Sequence, residues 1–299
     1  MRKTEIILLI LVFTGCHTNT SQSSLEFHNV SGLSSDANEL ALLSWNIHIL
    51  PAPYGWLFQT KTRAKLIVEK LKQFTYYDVI LFQEVFDNKI RNFLFEELKY
   101  LYPFQIEPVD MDKFFKINNG LWALSRIPIS LVDEIQFSQA IGWDWFSLKG
   151  AKLYQIQKNN QKFYIINTHL QADNGYKYTL VRKSQYTEIQ HTLIEPNLES
   201  SLPLILCGDL NIPKLENLKN MLDFLNLRNG HLSSKLSFSY WDSSLKNPQQ
   251  LLDYILVKEN SFSFESIQRN ILEVTSFSKE NTTPISDHNP IEAILKWND

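Results

Sequence analysis

The segment at residues 204–213, LILCGDLNIP, constrains the fold of this chain more than any other. Its four apolar residues, which end at Cys207, are typical of a strand buried on both faces. Gly208 permits a turn or a close backbone approach, and Asp209 and Asn211 follow with one residue between them. An ordinary strand-end turn fits these residue types. In extended chain, however, both side chains point the same way, so a carboxylate and an amide would leave a core strand together.

Other strand-like runs also end in polar side chains. They are 42–46 (LLSWN), 78–84 (DVILFQE) and 163–169 (FYIINTH). Near the C-terminus, SDHNP at 286–290 precedes the apolar run 291–297. Amide, carboxylate and imidazole groups thus recur where buried strands surface, and Mg²⁺ prefers oxygen ligands of this kind. We expect these strand ends to gather at one edge of the fold.

Strand and helix patterns mix throughout residues 39–299, with no repeat and no long linker. Apolar residues at helical spacing predict helices at 61–74, 88–101, 182–195 and 214–225. Besides the run that ends at Cys207, strand-like stretches lie at 39–47, 78–82, 120–126, 129–137, 149–157, 162–169, 251–257, 267–274 and 291–297. The mixture predicts one α/β domain in which two sheets pack together with helices outside them.

The composition is that of a globular protein that can build a sizeable core. Hydrophobic residues make up 44% of the chain and charged residues 20%. The formal net charge is −3, and the sequence contains no Lys/Arg block. Because nucleic-acid binders usually carry a basic footprint, the composition argues against a nucleic-acid partner.

Residues 1–16 are typical of an export signal. Arg2 and Lys3 precede a short apolar run, which is too brief to span a bilayer, and Gly15 precedes Cys16. The pattern resembles a bacterial lipoprotein signal in which Cys16 becomes lipidated, and an ordinary secretory signal is the alternative. The polar residues 17–38 are typical of a flexible tether to a folded domain at 39–299. We therefore expect an exported protein, either membrane-anchored through Cys16 or secreted.

Short motifs in order along the chain resemble those of the endonuclease/exonuclease/phosphatase superfamily, which has the DNase I-like fold. They are WN at 45–46, QE at 83–84, GDLN at 208–211 and SDH at 286–288. Further segments are similar to its bacterial neutral sphingomyelinase C branch: FQEVFD at 82–87, KG at 149–150, THLQA at 168–172, YWD at 240–242 and LDY at 252–254. The resemblance covers nearly all of residues 40–299. It implies a four-layer sandwich of two packed, mostly antiparallel β-sheets flanked by helices.

Two departures from the branch stand out. The double glycine that usually precedes the LS-x-x-PI stretch is Gly120-Leu121 here. The segment between Val257 and Ser286, where membrane-active relatives carry an aromatic hairpin, is short. Phe262 and Phe264 are candidates for that membrane role or for the core.

The resemblance implies that Glu84 and Asn46 hold Mg²⁺, for which Mn²⁺ can substitute. It also favours His288 as the general base in phosphodiester hydrolysis. An imidazole can take a proton from water if a carboxylate holds its ring, and Asp287 or Asp209 offers that carboxylate.

Three further site residues follow from the same resemblance. His169 would donate to a non-bridging phosphate oxygen. Asn211 would do the same through its amide, or would orient the nucleophile. Asp253 would lie near the site and support His169 from behind.

The expected substrate is sphingomyelin or a related phospholipid at a membrane surface, cut into ceramide and phosphocholine by a monomeric enzyme. Aromatic residues near the expected site loops suit a membrane interface: Trp56, Trp143, Trp145, Trp241 and Phe262. A secreted nuclease or an inositol-phosphate phosphatase of the same superfamily is one alternative. A catalytically silent lipoprotein that binds lipid or a host partner is another.

The signal sequence generates a prediction about the mature N-terminus. We expect mass spectrometry of the mature protein to find a lipid-modified Cys16 as its first residue. An unmodified terminus away from Cys16 would refute the lipoprotein assignment and favour plain secretion.

Overall fold

The structure, a computed structural model, describes residues 38–298 except 53, 58, 110–115, 200, 243, 245–247 and 278–281. The predicted signal peptide, the anchor Cys16 and the tether up to residue 37 lie outside the described residues. Within the described part, no helix combines the length and apolar character needed to cross a bilayer.

The strands run through the whole described chain and set the architecture. In chain order they are β1 (Glu39–Ile49), β2 (Val79–Val85), β3 (Phe104–Ile106), β4 (Trp122–Ser125), β5 (Ile129–Gln136), β6 (Gly150–Lys158), β7 (Gln161–His169), β8 (Leu204–Asp209), β9 (Arg228–Asn229), β10 (His231–Leu232), β11 (Tyr240–Trp241), β12 (Gln249–Gln250), β13 (Asp253–Lys258), β14 (Ser266–Ile271), β15 (Thr275–Phe277), β16 (Thr282–Pro284) and β17 (Ile291–Lys296).

The helices are few and lie between the strands. They are α1 (Tyr54–Leu57), α2 (Thr60–Leu71), α3 (Asn88–Leu98), α4 (Tyr176–Glu188), α5 (Glu195–Asn197) and α6 (Leu215–Leu225), with a 3₁₀ turn at Gly142–Phe146 and a π-helical turn at Ile189–Ile194. The helix predicted at 182–195 therefore begins earlier, at Tyr176, and changes to π-helical geometry at Ile189. Its apolar positions are too sparse to mark the first turn.

Two large sheets form the middle of the sandwich. One has the strand order β10-β14-β17-β1-β2-β4-β3 and the other β5-β6-β7-β8-β13-β9. Most neighbouring strands are antiparallel, and β1-β2, β10-β14 and β7-β8 are the parallel pairs. The prediction of two packed, mostly antiparallel sheets flanked by helices is confirmed.

Side-chain alternation along β8 separates the two sides of its sheet. Ile205 and Cys207 face the other sheet and join the core between the two layers. Leu204 and Leu206 face α4 and α6 on the outside. Cys207 is fully buried, and burial raises the pKa of its thiol, so it is a core residue as expected. The same alternation turns Asp209 toward the edge of the space between the sheets.

Gly208 serves the close approach that the sequence suggested, and β8 continues through it rather than turning. Its φ is 141°, and Thr168 of β7 is its register partner. A Cβ at this position would lie 1.8 Å from the carbonyl oxygen of Thr168. Only glycine therefore allows β7 and β8 to pair up to their last residues.

We predict that Gly208→Ala lowers the free energy of unfolding by at least about 2 kcal/mol, measured by denaturant titration. Gly175→Ala is the matched control, because Gly175 also has a positive φ but faces only a ring carbon of Tyr178 at 3.8 Å. Equal losses for the two variants would show that backbone conformation, rather than the contact with Thr168, decides the effect.

Candidate active site

Strand register places three of the predicted site residues in one row. His169 at the end of β7 pairs with Asp209 at the end of β8, and Asp253 at the start of β13 pairs with Asp209 from the other side. Because paired residues on neighbouring strands share a face, the three side chains project together from one sheet edge. All three are buried.

The second sheet contributes Asn46 and Glu84. The side-chain nitrogen of Asn46 donates to Oε1 of Glu84 at 2.9 Å and to Oδ2 of Asp209 at 3.1 Å. One buried amide therefore joins a carboxylate of its own sheet to a carboxylate of the other sheet. The strand ends gather at one edge, as expected.

Glu84 reaches this cluster through an unusual backbone conformation. Alternation along β2 would place it on the face opposite Gln83, but its φ is 60°, in the left-handed region. Gly120 packs directly behind it, and a Cβ on Gly120 would lie 3.0 Å from the Cα of Glu84. Where the family usually has two glycines, this chain has Gly120-Leu121, and Gly120 is the residue that leaves room for Glu84. Strained conformations of this kind concentrate at functional sites.

His288 is held by Asp253, and two predictions need correction. Nδ1 of His288 lies 2.7 Å from Oδ2 of Asp253, whereas neither Asp287 nor Asp209 bonds this nitrogen. The expected support of His169 by Asp253 is therefore wrong. β13 brings Asp253 under the loop that carries His288, a pairing that sequence spacing does not reveal.

Asp287 does not orient the neighbouring imidazole. Its side chain is 39% exposed and turns toward His48, whose Nδ1 lies 3.5 Å from its Oδ1. The hydroxyl of Ser286 also donates to Asp287. Successive residues in this loop point in different directions, so adjacency in sequence does not bring the Asp287 carboxylate to the His288 ring.

Asn211 lies in the cleft but does not project beside Asp209 from an extended strand. β8 ends at Asp209, and Asn211 has a φ of 52°. Its backbone N–H donates to Oδ1 of Asp209 at 3.0 Å, and its side-chain amide donates to the carbonyl of Leu170 at 3.1 Å. An Asx turn therefore replaces the expected extension, since the aspartate side chain caps its own turn.

The two histidines have opposite electrostatic environments. Burial, with the positive charge of Lys149 and then of His288, lowers the pKa of His169 well below its ordinary value. Burial also disfavours a charged His288, but the Asp253 and Asp209 carboxylates outweigh it and raise the pKa of His288 well above its ordinary value. His169 is therefore a neutral imidazole, whereas His288 is set up to hold a proton.

Asp209 is the carboxylate that both histidines share. Its Oδ2 lies 3.4 Å from Nε2 of His169 and 3.6 Å from Nε2 of His288. Burial raises the pKa of Asp209 to about 7, the positive charge of His288 opposes this, and the charge of Asp253 adds to it. Desolvated carboxylates this close together favour a proton or a cation between them.

The oxygen-rich cluster fits a divalent cation. One ligand atom from each of Asp209, Asp253 and His288 lies within 4.8 Å of the others. Among the buried side chains that the structure describes, Asp253 leaves its Oδ1 without a hydrogen-bond partner. The Asn46 amide presents its nitrogen to Glu84, while its oxygen accepts from the N–H of His48. A half-turn of that amide would present an oxygen instead.

An open cleft of about 390 Å³ exposes the cluster to solvent. Besides the predicted residues, its walls contain several groups that the sequence reading did not assign: Asp144, Asp173, Asn174, Tyr240, Asp242 and Gln250. The ring of Tyr240 lies 4.9 Å from the ring of His288, and the indole N–H of Trp45 donates to the backbone carbonyl of His288. Both aromatics thus help to fix His288, and their places in the WN and YWD motifs were the signal available in the sequence.

The family comparison agrees with this geometry. The Endonuclease/Exonuclease/phosphatase family matches residues 43–288. The chain belongs to this family. The match runs from β1 to His288 and so includes every residue of the cluster.

Several curated relatives are named sphingomyelinase C. Sphingomyelinase C of Bacillus cereus is 27% identical over 302 residues, covering 86% of this chain and 89% of its own length. Sphingomyelinase C 2 of Leptospira interrogans serogroup Icterohaemorrhagiae serovar Lai (strain 56601) is 27% identical over 291 residues, covering 85% of this chain and 45% of its own length. This chain spans about half the length of the Leptospira interrogans relatives.

Solved structures share the fold. Sphingomyelinase C from Streptomyces griseocarneus has a TM-score of 0.74 at 22% identity, covering 85% of this chain and 98% of its own. A beta toxin variant from Staphylococcus aureus, solved with bound magnesium ions, has a TM-score of 0.72 at 23% identity. The match covers 85% of this chain and 99% of the toxin chain. The predicted resemblance to the DNase I-like superfamily and to its bacterial sphingomyelinase C branch is confirmed.

The aromatic residues expected at the site of this family member fall into different environments. Trp143, Trp145 and Trp241 are exposed. Phe262 is half-buried and packs against Phe163 and Trp297, so its expected place on an interfacial surface is wrong. Phe264 is buried in the same cluster, and the core role holds for both phenylalanines. The side chain of Trp56 lies outside the described residues.

The His288–Asp253 contact generates a test. We predict that Asp253→Asn lowers the pKa of His288 toward its ordinary value, because the carboxylate that stabilises the imidazolium is gone. NMR titration of the ring in metal-free protein measures this shift. Activity should fall by roughly 10²-fold or more, since the imidazole that is expected to act as general base loses its orientation.

Asp287→Asn is the matched control, because Asp287 adjoins His288 in sequence but does not contact its ring. We expect a smaller change in the pKa of His288 in this variant. A larger effect from Asp287→Asn than from Asp253→Asn would contradict the assignment of Asp253 as the positioning carboxylate.

Proposed function

We propose that this family member is a Mg²⁺-dependent phosphodiesterase that hydrolyses sphingomyelin to ceramide and phosphocholine. One observation carries the proposal: two side-chain pairs meet at Asp209. The Asn46 amide donates to both Glu84 and Asp209, and the ring of His288, which Asp253 holds, lies beside Asp209. This junction joins a proton acceptor to an oxygen-rich cation site at the floor of an open cleft. The enzyme class expected from the sequence, a phosphoric diester hydrolase, is supported by the sphingomyelinase C and phospholipase C relatives.

His288 serves as the general base for water in this proposal. Its Nδ1–H donates to Asp253, so Nε2 faces the cluster beside Asp209. The carboxylates favour a proton on this ring in the metal-free site. Once their charge is offset in the metal-loaded enzyme, Nε2 would be unprotonated and would accept a proton from water. Trp45 and Tyr240 hold the loop and the ring in place. A base that is held on three sides meets the water that attacks phosphorus in one orientation, which reduces the entropic part of the barrier.

His169 and Asn211 supply neutral donors to the phosphate. The lowered pKa of His169 leaves an uncharged ring that carries one N–H, and Asn211 retains a second amide hydrogen besides the one bonded to Leu170. Donors fixed beforehand stabilise the negative charge that develops on the phosphate oxygens.

Glu84, Asp209 and the rotated Asn46 amide would hold Mg²⁺, and Mn²⁺ with similar oxygen preferences would substitute. A bound divalent ion supplies Lewis-acid stabilisation of phosphate and alkoxide oxygens. The same cation offsets the mutual repulsion of the buried carboxylates, which explains why they are retained without enough hydrogen-bond donors.

The cleft favours a zwitterionic headgroup over a nucleic-acid backbone. Carboxylates line its walls, at Asp144, Asp173, Asp242 and Asp287. They repel the continuous phosphates of a polynucleotide, whereas they attract a quaternary ammonium group beside a single phosphodiester. A phospholipid with a choline headgroup meets both conditions, and nucleic acid does not.

The setting of the enzyme is part of the proposal. The signal-like residues 1–16 and the tether 17–38 would export the catalytic domain and leave it attached through Cys16, or free after ordinary cleavage. A monomer is proposed, because the cluster is assembled from one chain.

We predict that Glu84→Ala weakens Mg²⁺ binding and lowers turnover by roughly 10²-fold or more while the fold survives. Calorimetric titration of Mg²⁺ and the dependence of kcat on Mg²⁺ concentration measure the two effects. Asp242→Asn removes a carboxylate of the same cleft that has no bond to Asn46, so its Mg²⁺ affinity should stay near that of the wild type. Near-normal activity of Glu84→Ala at low Mg²⁺ would remove Glu84 from the metal site.

The substrate is tested by offering the purified protein sphingomyelin, phosphatidylcholine and plasmid DNA with Mg²⁺. We expect chromatography to show phosphocholine and ceramide from sphingomyelin and weaker or no action on phosphatidylcholine. EDTA should abolish the reaction, and Mg²⁺ or Mn²⁺ should restore it. Rapid nicking of plasmid without phosphocholine release would assign the chain to the nucleases of the family.

A further inference from the structure

A cluster of exposed aromatic side chains lies on the 3₁₀ turn Gly142–Phe146. Trp143 is 82% exposed, Trp145 49% and Phe146 47%. The ring of Phe146 lies 6.0 Å from that of Trp143 and 5.2 Å from that of Trp145, so the three form one surface, here called the aromatic ridge. Large apolar side chains gathered in water mark a surface that meets a partner.

The ridge is held firmly although its side chains are exposed. Asp144, between the two tryptophans, accepts from the backbone N–H of Ala172 at 2.6 Å and from the side chain of Gln171 at 2.9 Å. It also pairs with the buried ammonium group of Lys149 at 3.1 Å. Presenting the tryptophans to a partner therefore requires little further ordering of backbone, which lowers the cost of binding.

The turn that carries the ridge reaches the catalytic cleft through Asp144. Asp144 lines that cleft together with Ala172 and Asp173, which follow His169 closely in sequence. The turn that carries the tryptophans is thus bonded to the segment that carries a proposed phosphate donor. A surface docked on the ridge would be held beside the reacting groups.

Lysine side chains accompany the exposed aromatics. Nζ of Lys116 lies 5.1 Å from the ring of Trp145. At the start of α4, Tyr176 is 79% exposed, and Nζ of Lys177 lies 4.6 Å from the ring of Tyr178. Tryptophan and tyrosine with lysine is the composition found where proteins meet membrane interfaces.

We propose that the aromatic ridge, with Lys116 and the start of α4, docks the enzyme on the interface of a bilayer rich in phosphocholine lipids. This inference rests on the proposed function, because it supplies the surface that delivers the lipid to the cleft. Indole rings enter the headgroup region, while the ammonium groups meet lipid phosphates. Apolar rings and cations together match that interface, whose outer layer presents phosphate and choline above hydrocarbon.

Docking is tested separately from catalysis by co-sedimentation with vesicles in EDTA, which prevents turnover. The vesicles contain equimolar sphingomyelin and phosphatidylcholine. We expect Trp143→Ala/Trp145→Ala to weaken vesicle binding by about tenfold or more, because binding strength follows the apolar area buried at the interface. Trp143→Ala alone should show a smaller loss of vesicle binding. Because the Trp143 side chain is mostly exposed, this single variant should fold normally and so controls for misfolding of the double variant.

Tyr100→Ala is the matched control. Tyr100 is 89% exposed with Lys99 beside its ring, but it follows the end of α3 and is not among the residues that line the cleft. We expect its vesicle binding to equal that of the wild type. Wild-type binding by both tryptophan variants, or an equal loss in Tyr100→Ala, would overturn the proposal.

The same proteins are then assayed with Mg²⁺ on sphingomyelin vesicles and on a short-chain soluble analogue. The ratio of vesicle to soluble turnover should fall in the double tryptophan variant and stay constant in Tyr100→Ala. Wild-type protein that sediments with vesicles but releases no phosphocholine would support docking and refute the proposed function. Wild-type protein that fails to sediment would overturn docking even if the soluble analogue is cut.

Discussion

The site depends on one buried carboxylate, that of Asp209, which is 2% exposed at the end of β8. It accepts from the Asn46 amide of the opposite sheet and from the N–H of Asn211, and it lies between Nε2 of His169 and Nε2 of His288. A desolvated charge is costly unless it is paired, so its neighbours are held to narrow positions. Both sheets and the loop before β17 are thereby tied to one point.

This arrangement explains why the site holds buried charges that have too few hydrogen-bond donors around them. Asp209 and Asp253 lie side by side on β8 and β13, and Asp253 leaves one oxygen unbonded. Hydrophobic side chains in the same register would stabilise the sandwich better, as Cys207 and Ile205 do one and two steps earlier on that face. The carboxylates therefore contribute to the chemistry of the cleft at the expense of stability, and a cation or a proton must offset their repulsion.

The sequence predicted the features that depend on local pattern. The buried strand before Asp209, the polar ends of the other strands and the gathering of those ends at one edge all follow from periodicity and residue type. Fold class and family came from short motifs such as GDLN and SDH. Even so, Asn211 was misplaced, because an aspartate that caps its own turn ends the extended chain.

Contacts between distant strands were not predictable in the same way. Asp253 holds His288 because β13 pairs with β8 in one particular register, whereas the sequence offered Asp287 or Asp209 for this role. Glu84 reaches the site only because its own backbone is left-handed, and Gly120, which packs behind it, leaves room for that conformation. Both facts arise from packing between segments far apart in the chain, and one sequence carries no direct record of them.

In our proposal, Asp209 is the shared centre of the acid–base groups and the cation site. Calorimetric titration of Mg²⁺ near pH 7, in buffers of different ionisation enthalpy, tests it most directly, because the pKa of Asp209 is raised to about 7. We expect Mg²⁺ binding to the wild type to release protons, and we expect Asp209→Asn to lose both the tight binding and the proton release. Wild-type Mg²⁺ affinity in Asp209→Asn, with unchanged proton release, would contradict it.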